Sequence, residues 1–152
     1  MSLTIRKAKV IDLKKTLEWA NDKEVIKNSL NRNHKVKPIE HFKWFNNYLK
    51  AKKNMILIGT INRKPVGMVR LDYTKMKICI SYLIDNKSRK KGLGFEMLKS
   101  VVDNLKRKNK GYIINAEVKK LNIGSNKIFK KLGFIKYNLK KSNIISYYKL
   151  KI

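Results

Sequence analysis

Hydrophobic and polar positions change period several times along this chain, and the changes divide it into strands and helices. Residues 3–10 alternate with period two, the signature of a half-buried strand. Residues 11–19 and 23–30 space their apolar side chains for two short helices, and the polar stretch 31–37 reads as a loop. Pro38-Ile39-Glu40 suits a first helical turn, where the missing proline N–H costs nothing. Phe42, Phe45 and Leu49 then fall on one face of a helix running to about Lys50. Residues 55–61 and 66–72 read as strands joined by Asn62-Arg63-Lys64-Pro65, a hairpin signal. A third strand spans 77–84, followed by a long helix over 92–109 that stops near Gly111. A strand over 112–118, a helix over 122–132 and a closing strand pair over 134–137 and 144–150 complete the series. The order predicts an α/β fold with one mixed sheet flanked by helices. At 152 residues the chain fits one domain, 1–152, with a proper core, and no repeat, low-complexity segment or linker interrupts it.

Composition narrows the class. No apolar run is long enough to span a membrane, the N-terminus lacks the apolar core of a signal peptide, and the single Cys79 makes no internal disulfide. A cytoplasmic protein is the expectation. The net charge is +28, from 38 basic and 10 acidic residues. Only six of the basic residues are Arg, and the 32 Lys are spread along the whole chain. Nucleic-acid readers use Arg for bidentate contacts and aromatics for stacking. The pattern here therefore favours compositional bias plus a general attraction for anionic ligands over dedicated nucleic-acid binding. Two His and one Cys are too few and too scattered for a metal centre.

Candidate chemistry concentrates after the third strand. Arg89-Lys90-Lys91-Gly92-Leu93-Gly94 lies between that strand and the long helix. The first N–H groups of a helix have no internal partner, the macrodipole places positive charge there, and the glycines allow a tight turn. The arrangement predicts an anion site, although a turn with a helix cap would read the same way. It contains neither G-x-x-x-x-G-K-[ST] nor a complete G-x-G-x-x-G.

Arg89-x-x-Gly92-x-Gly94 resembles the [RQ]-x-x-G-x-[GA] loop of the GNAT acetyltransferases. Downstream, Asn122-Ile-Gly-Ser125-Asn-Lys-Ile-Phe129-Lys-Lys-Leu-Gly133-Phe134 is similar to that family's N-x-x-[AS]-x-x-x-[YF]-x-x-x-G-F segment. The order of elements matches the family's fold, a mostly antiparallel central sheet flanked by helices. The resemblance implies acetyl-CoA as cofactor, its pyrophosphate on the amides of residues 89–94, and Asn122, Ser125 and Phe129 along the rest of the molecule. It also implies a backbone N–H near Ile84, within 84–86, for the acetyl carbonyl.

Trp19-x-Asn21-Asp22-x-x-Val25 with Ile39-Glu40-His41-x-x-Trp44-Phe45 resembles a branch that acetylates the amino group of UDP-linked aminodideoxy sugars of the pseudaminic-acid type. The spacing before His41 departs slightly from that pattern. The branch implies a nucleotide-linked amino sugar as acceptor, with Trp19, Asn21, His41, Trp44 and Arg70 around it. Each has a plainer role open to it: core packing for the two Trp, a structural or surface position for His41, helix capping for Asn21 and Asp22, and pairing with Asp72 for Arg70. Two positions depart from common members of the family. Cys79 stands where many carry Glu, and Phe129, which has no proton to give, where many carry Tyr. The base candidates left are Glu117, His41 and Tyr82. A protein or peptide N-acetyltransferase is the nearest alternative, and a basic binding module for nucleic acid or an acidic partner, on a degenerate GNAT fold, is the alternative of another class. A homodimer is left open.

Overall fold

The computed structural model describes residues 2–139 and 142–152. β1 (Leu3–Lys7) leads through a short 3-10 turn into α1 (Leu13–Ala20), α2 (Lys23–Asn28) and α3 (Pro38–Lys50). β2 (Met55–Ile61), β3 (Lys64–Thr74) and β4 (Lys77–Ile84) form a meander. α4 (Leu93–Lys108), β5 (Ile113–Lys119), α5 (Ile123–Lys131), β6 (Ile135–Tyr137) and β7 (Ile145–Lys151) follow. The hairpin between β2 and β3 turns tightly at Asn62 and Arg63, both at positive φ (49° and 65°), the twist that a two-residue connection requires. Lys64 and Pro65, expected in the turn, already belong to β3. Helix α4 carries Leu93, Met97, Leu98, Val101, Val102 and Leu105 at helical spacing on its buried face, and ends on Lys106, Arg107 and Lys108, cations that suit a helix C-terminus.

The sheet runs β1-β2-β3-β4-β5-β7-β6, with every neighbouring pair antiparallel except β4–β5. Two cores follow from its two faces. Val69, Leu71, Ile78, Ile80, Ile114, Ala116 and Tyr148 face α4 and α5 in the larger core. Trp19, Phe45, Ile56, Ile58 and Met68 pack on the opposite face beneath α1 and α3. Among the described residues no helix is long and apolar enough to cross a membrane.

The exceptional parallel pair shapes the site. β4 and β5 pair only at Lys77↔Ile113, Ile78↔Ile114 and Cys79↔Asn115. Beyond that point β4 stays with β3 as far as Ile84, and β5 stays with β7 as far as Lys119. The two strands therefore splay, and the gap between them opens toward the end of β4.

Candidate active site

At the mouth of the gap, Gly92 caps α4 with φ +77°, and open space lies where its Cβ would be. Glycine has no side chain to cap the helix, and the first helical bond runs from the Glu96 N–H to Gly92 O at 3.2 Å. The amides of residues 93–95 are thus left for an external anion at the positive end of a 16-residue helix. Lys90 and Lys91 are exposed beside them, while Leu93 is buried and offers only its backbone. Gly94 answers a different need. A Cβ there would lie 3.1 Å from Tyr82 Cε2 and 3.3 Å from Ile128 Cδ1, so glycine lets β4 and α5 close around the head of α4.

Arg89 departs from its expected use as free charge. Its Nε donates to Ile84 O at 3.1 Å and its Nη2 to Asp22 Oδ1 at 2.6 Å. The guanidinium latches the end of β4 to the N-cap of α2, where Asp22 also accepts from the Glu24 and Val25 amides. Burial, the largest single influence, opposes ionisation of Asp22, but the Arg89 bond and charge together with the Val25 and Glu24 amides outweigh it and hold the carboxyl below its ordinary range.

Hydrogen-bond alternation identifies the amides that face the gap. Asp85 N–H donates to Val66 O at 2.9 Å, so Ile84 and Tyr82, one and three positions earlier, turn their amides away from β3 and toward β5. The amides of Ile84 and Tyr82 thus face the gap, and that of Asp85, in the span 84–86 expected to serve it, is engaged with β3. Asp85 itself escaped the sequence reading. Its carboxylate accepts from Trp19 Nε1 at 2.7 Å and from the Lys87 amide at 3.1 Å, and pairs with Lys15 at 3.1 Å. Against burial, these bonds keep it ionised.

On the α5 side, Asn122 accepts from the Ser125 amide at 3.3 Å, as an N-cap should. The hydroxyls of Ser125 and Tyr82 are 2.8 Å apart, so Tyr82 reaches from β4 across to the first turn of α5. Phe129 does not line the gap. It is 2% exposed, in contact with the rings of Tyr82, Phe134 and Tyr148, and its role is packing.

Register places Arg70 and Asp72 of β3, Cys79 and Ser81 of β4, and Asn115 and Glu117 of β5 on the face opposite α4. Glu117 is exposed and has no cationic partner among the described residues. Beside it on β7 and β6 stand Tyr147 and Tyr137, their ring centroids 5.9 Å apart, and Lys149 lies 5.1 Å over Tyr137. Sequence reading missed this aromatic and cationic platform, because only strand register brings its members together. Arg70 takes its plainer role, with Nε 2.9 Å from Asp72 Oδ2. The second Asp72 oxygen accepts from Tyr48, another residue missed, whose phenol is pushed well up by burial and by that bond.

Three expected acceptor residues are corrected. Trp19 is 3% exposed, its ring in the core and its N–H spent on Asp85. His41 is 3% exposed, with Nε2 2.9 Å from Thr16 Oγ1. Burial and the nearby Arg32 charge lower its pKa, so it is a neutral core residue with no route to a substrate proton. Asn21 clamps the loop before α3, donating to Val36 O at 3.1 Å and accepting from Val36 N–H at 2.8 Å. Trp44 is only half-buried, its ring tilted against those of His41 and Tyr48 with centroids 5.2 and 5.1 Å away.

A splayed strand pair with inward amides, an orphaned helix N-terminus at one end and a free carboxylate on the far face can hold a phosphorylated thioester and deprotonate an amine beside it. The fit to acetyl-CoA rests on the uncapped 93–95 amides and the open space above Gly92. The family model for the acetyltransferase (GNAT) domain matches residues 2–135. No curated protein matches the chain in sequence. An N-acetyltransferase from Staphylococcus aureus Mu50 superposes with TM-score 0.79 at 22% identity, covering 99% of both chains. The ribosomal-protein-alanine N-acetyltransferase of Brucella melitensis gives 0.81 at 16% identity, covering 98% of this chain and 99% of that one. Spermidine N-acetyltransferase from Vibrio cholerae, solved with CoA and spermine, gives 0.84 at 14% identity, covering 97% of this chain and 94% of that one. At these identities the likeness establishes the fold.

Proposed function

Because the chain belongs to the GNAT acetyltransferase family, we propose that it acetylates the primary amine of a nucleotide-linked amino sugar, a cytoplasmic reaction with acetyl-CoA as donor. Acetyl-CoA supplies a thioester activated toward amines. The amides of residues 93–95, with Lys90 and Lys91, would hold its pyrophosphate, and those of Tyr82 and Ile84 would polarise the acetyl carbonyl. Glu117 accepts the amine proton, since among the described residues it is the carboxylate on the open sheet face without a cation or phenol bound to it.

The observation that carries the acceptor class is the company Glu117 keeps. The platform of Tyr137, Tyr147 and Lys149 suits an aromatic base with an attached phosphate, and a chain of net charge +28 repels polycationic amines while attracting anionic ones. An acidic polypeptide N-terminus is the second reading, favoured by the same charge.

The test is thiol release from acetyl-CoA with a panel of UDP- and other nucleotide-linked amino sugars, acidic and basic N-terminal peptides, and spermidine. Release that depends on a nucleotide-linked amino sugar is expected. Turnover confined to peptides or spermidine would overturn the acceptor assignment.

A further inference from the structure

The splayed gap needs a proton for the departing sulfur, and the helix position that carries Tyr in many relatives holds Phe129, buried at 2% exposure. A phenol hydroxyl reaches this region from a different element. Tyr82 leaves β4 on the α4/α5 side, its ring edge-on to Phe129 with centroids 6.1 Å apart. It passes so close to Gly94 that a Cβ there would sit 3.1 Å from Cε2, and it ends with its hydroxyl 2.8 Å from Ser125 Oγ. It therefore touches the two helices that flank the gap, and its own amide is one of those turned into that gap.

We propose that the Tyr82 hydroxyl, hydrogen-bonded to Ser125, is the acid that protonates the departing CoA sulfur, in place of the tyrosine absent from position 129. The inference rests on the acetyl-CoA reading above and is independent of the acceptor. The amine lone pair forms the C–N bond, and the nitrogen loses its extra proton to Glu117. The C–S bond breaks with its electron pair on sulfur, and the Tyr82 O–H proton passes to that sulfur to give the free thiol. Ser125 donates to the phenol oxygen as the charge develops, and solvent returns the proton. Burial raises the Tyr82 pKa against the smaller opposing effect of Ser125, so the hydroxyl is protonated at neutral pH. That places it as an acid, not as the base expected of it from sequence.

The first test needs no acceptor. A hydrogen bond donated to the thiolate lowers the pKa of bound CoA, which ultraviolet thiolate absorbance reads as a pH titration of the CoA complex minus the desulfo-CoA complex. Tyr82→Phe should raise that pKa by about one unit, the effect of removing one hydrogen bond to a charged group. Ser125→Ala should raise it less, since it removes only the bond that holds the phenol in place. The field of the loop lysines is common to all variants and cancels. The second test is thiol release from acetyl-CoA, to an amino-sugar acceptor or to water: Tyr82→Phe should lower kcat at least ~10²-fold with the KM for acetyl-CoA unchanged, the low end for a lost general acid. CoA bound with equal thiol pKa in wild type and Tyr82→Phe overturns the proposal and leaves the cofactor reading standing. A shifted pKa with unchanged kcat overturns the proton-donor role. Failure of the wild type to bind CoA overturns both readings.

Discussion

Glu117 and Gly92 are both exposed, yet substitutions at them should fail in different ways. Glu117→Gln keeps the shape of the sheet face and removes the proton acceptor, so kcat should fall by about 10²–10⁴-fold, the usual contribution of a general base. Isothermal titration should show unchanged acetyl-CoA affinity, and normal turnover would return Glu117 to a structural role. Gly92→Glu places a carboxylate in the open space at the anion cradle and forces a left-handed residue, a strain of about 1–2 kcal/mol. The variant should fold and lose acetyl-CoA binding; unchanged affinity in a folded variant would remove the pyrophosphate from this loop. Phe129→Ala should instead destabilise the chain by about 3–5 kcal/mol in denaturant unfolding, because a ring among three other aromatics leaves a cavity that cannot collapse. Gly92 at the head of α4 and Asn122 as the N-cap of α5 were legible in the sequence because a helix terminus is a local structure. Trp19, His41 and Asn21 were not, since burial and loop clamping are set by elements far away in the chain. Arg89 was legible as a charge but not as a latch, because its partner Asp22 lies 67 residues earlier.

Between elements, strand periods and helix stops gave the element order, and β2, β4 and α3 fell on their expected bounds. The extent of strand pairing is a different kind of quantity. That β4 leaves β5 after Cys79, creating the gap, depends on β3 and β7 holding the two strands apart, and no local pattern encodes it. The packing of α3 on α1 is equally nonlocal and carries a pH signature. His41 joins the two helices through Thr16, and its folded pKa lies below the ordinary 6.5. A depressed pKa means the neutral form is favoured in the fold, so the stabilising contribution is complete above about 6.5 and is lost as pH falls through the folded value. Unfolding free energy should therefore decline as pH falls below about 6.5, by at most ~1.4 kcal/mol per pH unit from this group. His41→Gln should flatten that decline even if it lowers stability at pH 7. An equal slope in wild type and variant would show that other groups titrate there.

Across the whole molecule, charge is the property that composition displayed first and that the fold disperses. With 38 basic residues against 10 acidic ones, the latches around the site use up Asp12, Asp22, Asp72 and Asp85 on Arg6, Arg89, Arg70 and Lys15, and leave most lysines in solvent. The resulting field reaches well beyond any single contact and acts mainly on encounter rates. At about 0.1 M salt the Debye length is ~10 Å, and it shrinks toward ~3 Å at about 1 M, so exposed lysines lose their reach before paired ones do. An anionic acceptor should feel this directly. Between about 0.05 and 0.5 M KCl, kcat/KM for a nucleotide-linked amino sugar should fall by roughly 10-fold or more, the lower range for steered association. The same sugar without its nucleotide should respond little, and spermidine, repelled at low salt, should improve. Acetyl-CoA is itself an anion, so the comparison is made with it saturating, which removes its own capture from kcat/KM of the acceptor. Parallel salt profiles for charged and neutral acceptors would make the +28 a matter of composition alone; diverging profiles would tie it to acceptor choice.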